Sequence, residues 1–174
     1  YIDALRAIGV TRFSMGVQSL DDKILSWMNR RHNAAGARKA FGLLKGDRSV
    51  DIITGVPDMS IEILEKTVDE VIGWRPEHIS AYQLSIEEGS ALEKLIEDGK
   101  INEAPEEECR KQYEFLCTSL KTAGYHHYEI SNWALPGHEA LHNSAYWKRV
   151  PYVGLGPGAH SLRISEDGRQ IRSW

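Results

Sequence analysis

Val50-Asp51-Ile52-Ile53-Thr54-Gly55-Val56-Pro57 is a β-branched run that stops at a glycine and a proline. A run this short and this apolar reads as a buried strand, and Gly55 to Pro57 reads as the turn that closes it. Working outward, Arg12 to Gln18 (RFSMGVQ) reads as a strand upstream, and His78 to Ile86 (HISAYQLSI) as one downstream. Helical spacing fills the gaps between them. Asp21 and Asp22 can cap a helix whose apolar stripe is Ile24, Leu25 and Met28, and a second helix is expected from Ala34 to Lys45. Ser60 precedes a third, with Ile63, Leu64, Val68, Val71 and Ile72 on one side and Gly73 as its expected stop. The order β-α-β-α-β with short connections implies a parallel sheet or barrel with right-handed crossovers. These strands are too few to close a barrel alone.

The second half changes character. Leu92 to Asp98 reads as a short helix ended by Gly99. Pro105 opens a long helix running to Ala123, with Glu106 to Glu108 at its positive end and Gly124 as its stop. Glu166-Asp167-Gly168 marks a hairpin turn near the C-terminus. At the other end, Ile2, Leu5 and Ile8 recur at helical spacing directly after Tyr1, so the chain is expected to be a fragment entered in mid-fold.

Composition bounds the function. Hydrophobic residues make up 41 % and charged residues 26 %, which places the chain with globular rather than disordered proteins. Net charge is −4 with no basic block, which argues against a nucleic-acid partner held by phosphate contacts. No apolar run approaches bilayer length and no signal peptide opens the sequence, so a cytoplasmic setting is expected. Cys109 and Cys117 lie at near-helical spacing and are expected to be reduced, packed thiols. Two thiolates alone cannot complete a zinc or cluster site, and adding His126 and His127 gives no recognisable metal spacing.

Ligands in parallel α/β folds bind at the C-terminal ends of strands. Gln18 ends the first strand, Arg30 ends the helix after it, Asp51 lies on the second strand, and Tyr82 and Ser85 on the third. Together Gln18, Arg30 and Asp51 could hold a small zwitterion, with arginine on a carboxylate and aspartate on an ammonium or ribose hydroxyls. An internal Arg30–Asp51 ion pair is the competing reading. Further on, Gly154, Gly156 and Gly158 form a glycine run, but Pro157 interrupts it and no helix follows, which excludes a dinucleotide fingerprint. A turn that lets backbone approach a ligand or another strand is the simpler alternative. His142, Asn143, Tyr146 and Trp147 form a polar–aromatic cluster in which an imidazole could ligate haem iron and rings could stack on a porphyrin. An ordinary surface histidine is the alternative there.

Five blocks, in order, carry a resemblance. Gly9 to Ser19 (GVTRFSMGVQS), Asp51 to Pro57 (DIITGVP), His78 to Tyr82 (HISAY), Tyr128 to Asn132 (YEISN) and Gly154 to Ser161 (GLGPGAHS) are similar to segments of the oxygen-independent coproporphyrinogen III oxidases and their relatives in the radical S-adenosylmethionine family. The resemblance implies an α/β fold: part of a partial (β/α) barrel over residues 1–100, then the start of an α+β C-terminal domain over 101–174. It implies S-adenosylmethionine held by Gln18, Arg30 and Asp51, with Tyr82 and Ser85 nearby. It also implies a 4Fe–4S cluster whose Cys-x3-Cys-x2-Cys ligands are not in this chain.

Two subgroups share these blocks. The oxidases decarboxylate propionate side chains of coproporphyrinogen III by radical chemistry. The HemW-type haem chaperones pass haem to haem proteins such as respiratory enzymes and carry an HNxxYW motif. Here that motif reads His142-Asn143-Ser144-Ala145-Tyr146-Trp147. The resemblance therefore implies a chaperone in which His142 ligates haem iron and Tyr146 and Trp147 pack on the macrocycle, with the oxidase as the alternative. No radical chemistry is expected from this chain alone. The departures are a shorter Lys45–Ser49 region, Thr54 where the family favours Tyr, and Pro57-Asp58-Met59 in place of a PGQ turn.

Overall fold

Three parallel strands, β1 (Arg12–Gln18), β2 (Asp47–Thr54) and β3 (His78–Gln83), stand side by side in chain order, as the alternating strand and helix signals require. The computed structural model describes residues 1–174 and separates into two compact units, Tyr1–Glu139 and Ala140–Trp174. In the first unit, β4 (His126–Glu129) and β5 (Asn132–Ala134) form a hairpin that adds to β3 through an antiparallel β5, giving the order β1-β2-β3-β5-β4. The helices are α1 (Ile2–Ala7), α2 (Asp22–Trp27), α3 (Ala34–Phe41), α4 (Ile61–Trp74), α5 (Ala91–Glu97) and α6 (Glu106–Thr122). The expected boundary at residues 100–101 falls in the loop between α5 and α6, inside this unit.

The strand register sorts the sheet into two chemically different faces. Residues paired across parallel strands share a face. Met15, Val50, Ile79 and Trp133 follow one another across the sheet, and with Val17 and Ile52 they form the apolar face. That face joins one core with Ile24, Phe41, Leu64, Val68, Leu116 and Leu120 from α2, α3, α4 and α6. The opposite face carries Ser14, Gly16, Ser49, Asp51, His78, Ser80, Tyr82 and Asn132. A parallel sheet ordinarily buries apolar residues on both sides. Here one side is polar, and at Ser14 and Tyr82 it is open to solvent.

Four boundaries differ from the sequence reading, each for a non-local reason. Helix α3 stops at Phe41 rather than Lys45, and β2 begins at Asp47 rather than Val50. The Asp47 amide bonds the Thr11 carbonyl at 3.0 Å, and Arg48 pairs with Glu77 at 2.9 Å, which draws polar residues into the strand. Gly73 does not stop α4. The helix continues to Trp74, whose ring stacks on Phe41 at 4.8 Å, and Arg75 ends it in the left-handed region (φ 50°) before Pro76. Strand β3 ends at Gln83 rather than Ile86, because β2 turns away at Gly55 (φ 67°) and leaves no partner. Ser85 therefore lies in the loop beyond the strand.

The second unit contains α7 (Leu141–Trp147) and a hairpin of β6 (Ser161–Ile164) and β7 (Gln170–Ser173). Gly168 (φ 81°) makes the expected turn between the strands.

Candidate functional site

At the end of β1 the backbone is strained. Gln18 has φ 65°, and the Ser19 amide bonds the Val17 carbonyl at 2.8 Å, a three-residue turn closed around it. The strand register slips between Gly16 and Gln18. This curls the Gln18 side chain back over Gly16, so that its carboxamide occupies the space a Gly16 side chain would take. Strained residues of this kind gather at ligand sites, where the surroundings hold them. Gly16 pairs with Asp51 across the sheet. The carboxamide of Gln18 and the carboxylate of Asp51 are thus neighbours on the polar face. Ser14 donates to both carboxylate oxygens of Asp51 at 3.1 Å, and Ser80 is its register partner on β3.

Arg30 is positioned by a different element, the end of α2. After α2, Asn29 (φ 54°) and the Arg30 amide bond to the Leu25 carbonyl (2.9 Å) form a Schellman cap that fixes the Arg30 backbone. Its side chain lines an open cleft with Asp22, Ser26, Arg31, His32, Asn33 and Gly36. No ion pair joins Arg30 to Asp51, so the internal pair is not formed. Tyr82 shares the face of Asp51 and is exposed, while the Ser85 hydroxyl donates to Glu87.

The second cluster is on α7. His142 and Tyr146 are one turn apart and meet edge to face at 4.8 Å. Tyr146 meets Tyr152 at the same distance. His142 is exposed, and it opens onto a small cleft with Ala145, Tyr146, Val150, Pro151 and Tyr152. Leu141, Trp147, Val153 and Leu155 are large apolar side chains left in solvent within this unit. In the glycine run, Gly154 packs directly against the His160 backbone, a close approach that only glycine permits.

Two polar networks escaped the sequence. Gln112 on α6 is fully buried, accepts from the Gly55 amide at 2.8 Å and donates to the Met59 carbonyl at 2.9 Å. It clamps both ends of the loop that follows β2. Its signal was a lone amide on the apolar stripe of α6. His78 bonds the Ser49 hydroxyl through Nδ1 and the Tyr128 hydroxyl through Nε2, both at 2.8 Å. Burial first, then the positive charge of Arg12, pull its pKa from 6.5 to about 4, against the opposing pull of Glu139. Both cysteines are free, and burial pushes both thiols up. No cluster of His, Cys, Asp or Glu has the makings of a metal site.

No family model matches the chain. It is 34 % identical over 164 residues to a Synechocystis protein named heme chaperone HemW, covering 92 % of the chain and 40 % of that protein. It is 38 % identical over 156 residues to a Danio rerio protein named radical S-adenosyl methionine domain-containing protein 1, mitochondrial, covering 87 % of the chain and 35 % of that protein. The chain spans less than half the length of the curated relatives it matches. Among solved structures, coproporphyrinogen III oxidase (HemN) from Escherichia coli, a radical SAM enzyme, superposes with a TM-score of 0.70 at 19 % identity, covering 92 % of this chain and 40 % of that one. That likeness is one of fold.

Proposed function

We propose that this chain is a segment of a haem chaperone of the radical S-adenosylmethionine family, one that binds haem and passes it to haem proteins such as respiratory enzymes. One observation carries the reading: His142 is an exposed imidazole at the edge of an apolar cleft, in a chain similar along its length to proteins named heme chaperone. Haem fits these residues. An imidazole is a common axial donor to haem iron, and the solvent-facing Leu141, Trp147, Val153 and Leu155 offer apolar surface of the kind a macrocycle covers. In this proposal His142 supplies the axial nitrogen, and Tyr146 and Trp147 flank the ring system.

S-adenosylmethionine is proposed to bind at the first unit's polar face. Asp51 and Gln18 offer a carboxylate and a carboxamide to its hydroxyl and ammonium groups, and Arg30 offers a guanidinium to its carboxylate. Tyr82 and Ser85 complete that proposed set. A bound 4Fe–4S cluster would supply electrons for cleaving S-adenosylmethionine, but the donors of this chain do not fit it. Both its cysteines lie on α6, and two thiolates cannot complete a cluster's ligand set. The setting proposed is the cytoplasm. No helix is long and apolar enough to cross a membrane.

A visible-absorption titration with haem tests the reading, comparing the chain with His142→Ala. The expected result is a saturable Soret shift whose affinity falls about tenfold or more in the variant, the loss of one ligand bond. Equal binding by both removes His142 as the ligand. No binding by either removes the haem site from this chain.

A further inference from the structure

The ring of Tyr146 is flanked on two sides. His142 meets it at 4.8 Å with an interplanar angle of 90°, and Tyr152 meets it at 4.8 Å with 70°. Tyr152 does not belong to α7. After the helix, Arg149 (φ 53°) and the Val150 amide bond to the Ala145 carbonyl (2.9 Å) reverse the chain. Tyr152 is then pinned by a reciprocal pair of backbone bonds with Leu162, each 2.9 Å. Val150, Pro151 and Tyr152 so form one wall of the cleft, with His142, Ala145 and Tyr146 as the other.

We propose that Tyr152 is a positioning residue for haem ligation, holding Tyr146 so that Tyr146 fixes the plane of the His142 imidazole, and that Val150 and Pro151 take an apolar edge of the porphyrin. This rests on the haem reading and goes beyond it. An exposed histidine turns freely about its side-chain bonds, and a ligand must be held before the metal arrives. Edge-to-face contacts bias that rotation by a few-fold to about tenfold in an equilibrium constant. Tyr146 alone is a helix-surface ring with its own freedom. Tyr152, anchored to the β6 strand, removes it.

The test is a haem titration of the chain together with Tyr152→Phe, Tyr152→Leu and Tyr152→Val, followed by electron paramagnetic resonance of the ferric complexes. The phenylalanine variant keeps the ring and is expected to retain wild-type affinity and spectrum. The leucine variant is expected to bind about three- to tenfold more weakly, with a broadened or shifted ferric signal as the imidazole plane is released. The valine variant suits the bridge to Leu162 and is expected to behave as the leucine variant does, which covers loss of folding in the latter. Wild-type affinity and an unchanged spectrum in the leucine or valine variant overturn the positioning role. Wild-type binding by His142→Ala overturns the haem reading itself, whatever the Tyr152 variants do.

Discussion

Replacing Gln112 by Met removes the clamp on the loop after β2 while keeping the length of the side chain. Gln112 is 1 % exposed, and the residues it holds, Gly55 and Met59, are buried. The substitution strips one partner from a buried amide and one from a buried carbonyl. Each unsatisfied group costs about 1–3 kcal/mol, so the expected loss is about 2–5 kcal/mol once some relaxation is allowed. Because Met fills much of the same volume, little of the loss is a cavity term. Urea unfolding followed by tryptophan fluorescence reads it through buried Trp133. With a slope of about 1–3 kcal/mol per molar urea, the midpoint should fall by about 1–2 M. Lys111→Ala, which removes only a neighbouring exposed ion pair with Glu108, should leave the midpoint unchanged. A Gln112→Met midpoint within about 0.3 M of wild type, with the same slope, would refute the reasoning.

Three further outcomes are expected. His78 is neutral in the fold down to a pKa of about 4 but protonates near 6.5 when unfolded, so its contribution is fully present above pH 6.5 and is lost as pH falls toward 4. The loss is on the order of 3 kcal/mol, and urea midpoints from pH 7 to 5 should slope downward in wild type and flatten in His78→Asn; parallel profiles would contradict this. Gly16→Ala places a methyl where the Gln18 carboxamide lies, so the flexible side chain must move. Stability should change by less than about 1 kcal/mol while S-adenosylmethionine affinity, measured by equilibrium dialysis, falls about tenfold; undiminished affinity would separate Gln18 from the ligand. Burial pushes the Glu77 carboxyl up, but hydrogen bonds from the Arg48 side chain and amide outweigh it and hold it below its usual value. Its stabilisation is therefore present above the ordinary carboxylate pKa and lost as pH falls through the lowered one. Glu77→Gln should lower the thermal midpoint at pH 7 and lose that difference in acid; an unchanged midpoint at pH 7 would refute the pair's role.

The parts of this fold that were legible in the sequence are those written locally. The strand Arg12–Gln18 has its bounds in its own pattern, and Gly99, Gly124 and Gly168 stand at the positive-φ positions that end elements. What was not legible depends on distant partners. Residues 47–49 look polar and loop-like until β1 and Glu77 recruit them. Gly73 looks like a stop until Trp74 finds Phe41. The Ser49–His78–Tyr128 chain and the Gln112 clamp join residues 29 to 57 positions apart, beyond any periodicity. The candidate ligand residues divide the same way. Gln18 and Asp51 share a face because alternate residues of paired strands must, whereas the backbone position of Arg30 follows from a helix cap whose αL residue is an asparagine, a weaker sign than glycine.

This division also sets how independently the two proposed sites can fail. The His142 cluster is built within one helix and the segment after it, all inside residues 140–174. Its geometry follows from the i,i+4 spacing on α7, the Arg149 reversal and the Leu162 bridge. The Gln18–Asp51 pair instead needs the β1–β2 register and the strain at Gln18, both maintained by the core beneath the sheet. A substitution that loosens that core, such as Gln112→Met, should therefore weaken S-adenosylmethionine binding before it touches haem binding. Conversely, His142→Ala should leave the urea midpoint of the first unit where it was. If the core substitution abolished both affinities together, the haem cluster would depend on the first unit, and its local construction would not be sufficient to hold the imidazole in place.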